Sequence, residues 1–219
     1  MTLTLYAHPF SSYCQEVLVA LWEYELPFNY RSLEDPAANA EMKALWPMGQ
    51  FPVLVDGDET LAESTCIIEH LTLRYAADHP ARLIPADPVE ALGVRFLDRV
   101  FDHHVMANMQ KPVNEALAGG GRQEEVQASA GAALEAAYGW LEARLGGRTW
   151  AVGDRFSLAD CAAAPSLFYA DWVQPIDDAR FHTVRAYRSR LLARPTVARA
   201  VEEARPFRAY FPLGAPDRD

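Results

Sequence analysis

The stretch HPFSSYCQEVLVAL, His8 to Leu21, decides the fold because it joins a short apolar strand to a helix. The preceding TLTLYA, Thr2 to Ala7, is typical of a strand, and apolar residues recur at helical spacing after the serines. Ser12 and Gln15 have the S-x-x-Q spacing of a capping box, which predicts Ser12 as the helix N-cap. Ser11 then lies just outside the helix, with a free hydroxyl beside the positive end of the helix dipole.

The anion that suits a hydroxyl donor at this point is a thiolate. The residues SSYC, Ser11 to Cys14, form a C-x-x-C redox motif in which serine replaces the first cysteine. A cysteine at that position would be the nucleophile, so with serine there the thiol must come from another molecule. Tyr13 is a competing hydroxyl, but it lies inside the first helical turn and we expect it to point elsewhere.

The composition excludes several classes of protein. Half of the 219 residues are hydrophobic, which is enough apolar material for a core. The net charge of −10 disfavours nucleic acid as a partner. Cys14, Cys66 and Cys161 are widely spaced, a pattern that favours a reducing compartment over a disulfide framework. No apolar run approaches the ~18 residues that span a bilayer, and no signal-like segment begins the chain. We therefore expect a cytoplasmic protein that has no membrane partner.

The chain changes character after its first third. The order β-α-β-α-β-β-α predicts a small mixed sheet covered by helices, including a hairpin that turns at Asp56-Gly57. Pro80, Pro85 and Pro88 then predict a linker, since they cannot share one helix. Only helices are predicted beyond it, at Val89–Leu117, Gln123–Leu145, Leu158–Trp172, Ala179–Ala193 and Pro195–Ala204. This gives an α/β domain at 1–78, a linker at 79–88 and an all-α domain at 89–219.

Four separate motifs, in this order, resemble the cytosolic glutathione transferase family. They are the serine loop followed by Val17, PMGQFPVL with Pro52, LAESTCIIEHL with Glu63-Ser64, and DRFSLADCAAAP with a capping box at Ser157 and Asp160. The resemblance covers nearly the whole chain. It implies a thioredoxin-like N-terminal domain, an all-helical C-terminal domain and glutathione as co-substrate. The serine loop resembles the theta-, zeta- and tau-like classes of the family and differs from the tyrosine-type classes.

The resemblance implies how glutathione is bound. Ser11, or alternatively Ser12, would donate a hydrogen bond to the glutathione sulfur. Glu63 would hold the ammonium and Ser64 the carboxylate of the γ-glutamyl end. Ser12 and the Glu63-Ser64 pair also have a simpler explanation, as residues that only cap a helix.

Other glutathione contacts are implied around Pro52. A cis bond between Phe51 and Pro52 would aim the backbone of Val53 at the cysteinyl part of glutathione, much as an added strand pairs with a sheet. Gln50 and Lys43 would contact the glycyl end.

Apolar residues of the second domain are candidates for an acceptor pocket as well as for the core. They are Met106, Met109, Phe207, Tyr210 and Phe211. We predict no metal site, because the adjacent histidines His103 and His104 do not share a helix face.

Two positions depart from the family pattern. Trp46 stands where asparagine is common, and Glu16 stands where a basic residue is common. Neither change removes a predicted ligand, but together they leave the subclass open.

The resemblance implies an enzyme that attacks an electrophile with the glutathione thiolate, as in detoxification. A glutathione-dependent isomerase and a non-enzymatic protein of the same fold are the alternatives. The resemblance also implies a two-fold homodimer, in which Asp98 or Asp102 could reach the glutathione ammonium of the neighbouring subunit. Pairing of these residues with Arg95 and Arg99 within one helix is the simpler explanation.

Overall fold

A four-stranded sheet organises the first third of the chain in the computed structural model, which describes residues 3–219. Its strands are β1 (Leu3–Ala7), β2 (Phe28–Ser32), β3 (Val53–Asp56) and β4 (Glu59–Ala62). The strand order is β2-β1-β3-β4, with β1 parallel to β2 and antiparallel to β3. The predicted βαβαββα order is confirmed, although Thr2 of the first predicted strand lies outside the described residues.

Helices cover the sheet and form the remainder of the chain. They are α1 (Ser12–Glu23), α2 (Pro36–Leu45), α3 (Ser64–Tyr75), α4 (Pro88–Val100), α5 (Ala107–Leu117), α6 (Gln123–Leu145), α7 (Leu158–Val173), α8 (His182–Leu192) and α9 (Pro195–Ala204). A π-helical turn, Phe101–Met106, joins α4 to α5, and a 3-10 helix, Arg205–Tyr210, follows α9. The predicted bounds of α6 and α9 are confirmed, whereas the helix predicted at Val89–Leu117 contains the π-helical turn.

Local sequence accounts for where several helices begin. Asp35 and Asp87 cap α2 and α4, and each is followed by a proline, whose fixed φ suits the first helical position. The hairpin turn lies at Gly57 and Asp58, one residue later than predicted. Asp56 is the last residue of β3, and its buried carboxylate accepts a hydrogen bond from the Tyr75 hydroxyl at 2.7 Å.

The predicted capping box at the start of α7 is confirmed. Asp160 is fully buried and accepts hydrogen bonds from the backbone N–H and the hydroxyl of Ser157 at 2.9 and 2.8 Å. The Ala151 N–H and the Tyr187 hydroxyl donate to its other oxygen at 2.8 and 2.6 Å. This carboxylate therefore joins α7 to α8 and to the loop before α7.

One continuous apolar core extends from the sheet into the helical part of the chain. Helix α1 packs against both α3 and α7, and its Val17, Leu18 and Leu21 are buried in that core. The Arg194 guanidinium donates to Glu23 at 2.7 and 2.5 Å and fixes the far end of α1. Within residues 3–219, none of the helices combines the length and the apolar character needed to cross a membrane.

Candidate active site

A cavity of about 900 Å³ opens between the loop after β1, the start of α3 and the helices around the π-helical turn. The predicted site residues on its wall are Ser11, Ser12, Gln50, Phe51, Pro52, Glu63, Ser64, Met109, Tyr210 and Phe211. They come from separate parts of the chain and meet at the junction of the sheet with the helical region.

The N-cap of α1 is Ser11, so the prediction of Ser12 as the cap is wrong. The Ser11 backbone is extended, and its hydroxyl oxygen accepts a hydrogen bond from the Cys14 N–H at 3.4 Å. Gln15 does not complete a capping box. Its amide instead donates to the Pro9 carbonyl at 2.9 Å and to the Tyr169 hydroxyl at 3.0 Å, so a contact with α7 determines its position.

Its role as a helix cap does not prevent Ser11 from donating a hydrogen bond to a ligand. A hydroxyl oxygen can accept one hydrogen bond and still donate its own proton. Ser11 lies on the cavity wall at the positive end of α1, where a negative charge is stabilised. Ser12 also lies on this wall as the first residue of the helix, so both serines stay candidates for contact with the sulfur.

Tyr13 lies on the cavity wall, which corrects the expectation that it points elsewhere. Burial raises the pKa of its phenol, and the nearby Asp102 and Glu16 carboxyls raise this pKa further. Tyr13 therefore stays protonated near neutral pH.

The peptide bond between Phe51 and Pro52 is cis, as predicted. Phe51 and Gln50 lie on the cavity wall, whereas Lys43 is exposed on α2 and is not part of it. The prediction that Val53 pairs with a ligand is wrong. Val53 is buried between Tyr6 of β1 and Ala62 of β4, so neighbouring strands cover both of its edges.

Glu63 and Ser64 lie together at the start of α3. Glu63 has φ 67° and ψ 115°, a backbone conformation that is costly for a residue with a side chain. Such strain persists only where the surrounding structure enforces it, and it is concentrated at functional sites. The strained Glu63 lies on the cavity wall, and the buried Ser64 opens the helix beside it.

The other half of the cavity contains three of the five candidates for the acceptor pocket. Met109 and Tyr210 lie on its wall, as does Phe211. Met106 is fully buried in the core, and Phe207 lies outside the wall with its ring centroid 4.7 Å from that of His8.

Sequence reasoning missed a polar contact at the mouth of the cavity. The Phe10 N–H donates to His8 Nδ1 at 3.1 Å, which leaves Nε2 to carry the proton and donate to Glu34 at 2.9 Å. The Tyr210 hydroxyl also donates to Glu34, at 3.1 Å. Glu34 therefore connects the C-terminal 3-10 helix to the loop after β1, a contact that no local motif signals.

Sequence reasoning also missed a buried acidic cluster beside the cavity, formed by Glu16 of α1, Asp98 of α4 and Asp102 of the π-helical turn. One oxygen of each carboxyl lies within 4.8 Å of the others. Arg99 donates to Asp98 at 2.8 Å and to Asp102 at 2.7 Å. Both aspartates are buried within their own chain, and Asp102 lies on the wall of that chain's cavity, where it can meet a ligand bound to the same chain.

The pKa values of all three carboxyl groups in the acidic cluster are raised. Burial raises the pKa of Glu16 well above its ordinary value, and repulsion from Asp102 and Asp98 raises it further. Burial, with repulsion from Asp98, raises the pKa of Asp102 to about 7. Burial also raises the pKa of Asp98, although Arg99 partly offsets this effect. The signal available in the sequence was the unusual acid at position 16.

Family models match most of the chain. A model described as the glutathione S-transferase N-terminal domain matches residues 5–80, and one described as the glutathione S-transferase C-terminal domain matches residues 96–195.

Three curated relatives are similar over most of their length. Glutathione S-transferase 3 of Zea mays is 31% identical over 91% of this chain and 93% of its own. A probable maleylacetoacetate isomerase of Vibrio cholerae is 30% identical over 94% and 98%. FtsZ-localized protein A of Caulobacter vibrioides is 29% identical over 88% and 87%. Proteins with transferase, isomerase and other names thus share this sequence pattern.

A solved structure shows the same fold. A glutathione transferase homologue from Drosophila mojavensis with bound glutathione superposes with a TM-score of 0.83, at 24% identity and 98% coverage of each chain.

Proposed function

The chain belongs to the glutathione S-transferase family, and we propose that it is a glutathione transferase that joins the glutathione sulfur to an electrophilic small molecule. The observation that carries this proposal is the position of Ser11. Its hydroxyl lies on the cavity wall at the positive end of α1, and its proton is free to be donated. Such a donor suits a thiolate.

The expected activation is modest and chemically reasonable. A free thiol with a pKa of about 8.5 is only a few per cent ionised at pH 7. Lowering that pKa by about two units requires about 2.7 kcal/mol of preferential stabilisation of the thiolate. A charge-assisted hydrogen bond from Ser11, together with the dipole of α1, is sufficient for this.

The rest of the cavity supports glutathione as the source of the thiol. We infer that Glu63 and Asp102 attract the ammonium group of the γ-glutamyl end, since both carboxyls lie on the wall. Ser64 is beside them and can donate to the neighbouring carboxylate. Phe51 and Gln50 lie on the same wall, where they can contact the cysteinyl and glycyl parts.

The acceptor half of the cavity favours an apolar, uncharged electrophile. Met109, Val113 and Leu117 provide apolar surface, and Gln110 and Asn114 provide neutral amides. Among the described wall residues, the single arginine or lysine is Arg99, which is already bound to Asp98 and Asp102. An isomerase that acts on an anionic substrate would need a cation in this half, so conjugation is the better fit.

We further propose a cytoplasmic homodimer with a role in detoxification. Val89, Leu92 and Phe96 are exposed at helical spacing on α4, and this apolar stripe supports a contact with a second copy of the chain. All three cysteines are free thiols, which supports a reducing compartment. Sedimentation equilibrium tests the assembly, because a particle of 24.4 kDa at micromolar concentration would contradict the dimer.

The deciding experiment is a turnover assay with glutathione and a panel of neutral aromatic and alkyl halides and epoxides. We expect conjugation above the uncatalysed rate for at least one member of the panel. Binding of glutathione without turnover of any acceptor would instead favour the non-enzymatic alternative. Turnover confined to cis-trans isomerisation of an unsaturated acid would favour the isomerase.

A further inference from the structure

Glu16 is a buried carboxyl group without a normal hydrogen-bond donor. It is fully buried in α1, and neither of its oxygens has a hydrogen-bond partner among the described residues, although the Ser64 hydroxyl lies near enough to favour the carboxylate slightly. Asp102 Oδ1 also has no partner, whereas its Oδ2 receives the bond from Arg99. Two facing carboxyl groups thus each present an unsatisfied oxygen.

The charges do not balance if all three carboxyls are ionised. Glu16, Asp98 and Asp102 would contribute three negative charges against the single positive charge of Arg99. Asp98 accepts bonds from Arg99 and from the Thr65 hydroxyl, so it is the best stabilised anion of the three. The remaining repulsion falls on Glu16 and Asp102, and one proton shared between them removes it.

Within residues 3–219, no group other than Arg99 that faces Glu16 provides a positive charge. Tyr13 and Cys14 lie on the same helix as Glu16, and Cys161 faces Glu16 from α7. Burial raises the pKa of these three side chains, so each of them stays neutral. From the start of α3, Glu63 adds further negative potential at Asp102. The compensating charge must therefore come from a proton or from a cation that enters the cavity.

We propose that Glu16 and Asp102 share one proton in the free protein and that binding of the glutathione ammonium beside Asp102 and Glu63 releases it. This rests on the proposed glutathione site. Asp102 lies on the cavity wall, whereas Glu16 lies behind it in the core, so Asp102 meets the ligand and Glu16 acts through Asp102. Glu16 is thus a positioning residue that links the affinity for glutathione to pH.

The exchange is balanced. Before binding, the pair is one carboxylic acid hydrogen-bonded to one carboxylate, with a total charge of −1. The ligand brings an ammonium group that keeps all its protons. Its positive charge stabilises the second carboxylate, so the O–H bond of the shared acid breaks and the proton leaves through the cavity to the buffer. No oxidant, metal or covalent intermediate takes part.

The test is titration calorimetry with S-methylglutathione in two buffers of different ionisation enthalpy, at pH 6, 7 and 8. The thioether has no thiol proton, so thiolate formation does not contribute to the proton count. We expect the wild type to release about half a proton per ligand at pH 7 and to bind about tenfold more tightly at pH 8 than at pH 6.

Two variants and one spectrum complete the experiment. Glu16→Gln mimics the protonated acid and should release almost no proton. Glu23→Gln changes a carboxyl of the same helix that is paired with Arg194, and it should release as many protons on binding as the wild type. Infrared difference spectra of the wild type should show a protonated carboxyl band that disappears on binding. That spectrum does not depend on whether a variant folds.

The outcomes separate the two proposals. Binding of S-methylglutathione without proton release, or with equal release by Glu16→Gln, would overturn the shared proton and leave the proposed function intact. Failure of both S-methylglutathione and glutathione to bind would overturn the proposed function and this inference with it.

Discussion

Asp160 and Glu16 are both fully buried carboxyl groups near the start of a core helix, but their surroundings are opposite. Asp160 receives four hydrogen bonds, from backbone and side-chain donors. Glu16 receives none of normal geometry and lies against two other carboxyls. A buried carboxyl with a full set of donors holds the fold together, whereas one without donors adds strain that a ligand can relieve.

The largest effect should follow from removing the well-bonded carboxyl. Asp160→Ala would leave two backbone N–H groups and the hydroxyls of Ser157 and Tyr187 without their acceptor. We expect the free energy of unfolding to fall by about 3–5 kcal/mol, measured by urea denaturation. Asp178→Ala, at an exposed position paired only with His182, should change it by less than about 0.5 kcal/mol. Equal effects of the two variants on the free energy of unfolding would contradict the claim that the bonds of Asp160 hold the fold together.

A second prediction compares the serines that open two helices. Ser64→Ala should raise KM for glutathione about tenfold and change kcat little, because its proposed ligand contact is the same in the ground and transition states. Ser157→Ala should instead lower the free energy of unfolding by about 1 kcal/mol and leave KM unchanged, since its hydroxyl is bound to Asp160. Steady-state kinetics of both variants gives KM and kcat, and urea denaturation gives the free energy of unfolding. A collapse of kcat in Ser64→Ala at constant KM would refute its binding role.

The smallest effect concerns the carboxyl without donors and has a defined pH dependence. The pKa of Glu16 is raised in the folded state, so the folded protein holds more protons than the unfolded chain and loses stability as pH rises above the unfolded value of about 4.3. Glu16→Gln does not titrate. We expect it to match wild type near pH 4 and to be more stable by at least about 1 kcal/mol at pH 8, from urea midpoints.

The control for that prediction lies on the same helix. Glu23→Gln removes a carboxylate that accepts bonds from Arg194, so it should lose stability at both pH values. A wild-type protein whose stability rises steadily from pH 5 to pH 8 relative to Glu16→Gln would contradict the raised pKa of Glu16.

Much of the fold could be predicted because its signals are local. Helical periodicity and a proline at the first helical position predicted the bounds of α9, and the S-x-x-D spacing identified the cap of α7. The N-cap of α1 was missed by one residue, since the S-x-x-Q spacing of Ser12 and Gln15 favoured Ser12 over Ser11. A bond from Gln15 to Tyr169, 154 residues along the chain, excludes the capping box.

The candidate site was predictable only where a motif carries the chemistry. Glu63, Ser64 and the cis Pro52 were found from their motifs. Val53 was wrongly expected to pair with a ligand, because the sequence does not show that β3 has a neighbouring strand on each side. The partners of Glu16 belong to a distant helix and the π-helical turn after it, so no local pattern could bring them together. Glu16 could be identified in the sequence as an unusual residue, but its proposed role depends on the carboxyl groups that the fold packs against it.

The central claim is that Ser11 stabilises the thiolate of bound glutathione, and ultraviolet titration of that thiolate tests it most directly. Ser12→Ala is the matched control, since both hydroxyls lie on the cavity wall. In wild type and Ser12→Ala, the pKa of the bound thiol should lie about two units below the free value of about 8.5. In Ser11→Ala it should return to within about half a unit of that free value. An equally low thiol pKa in Ser11→Ala, or a bound thiol in wild type that ionises no more readily than free glutathione, would contradict the account.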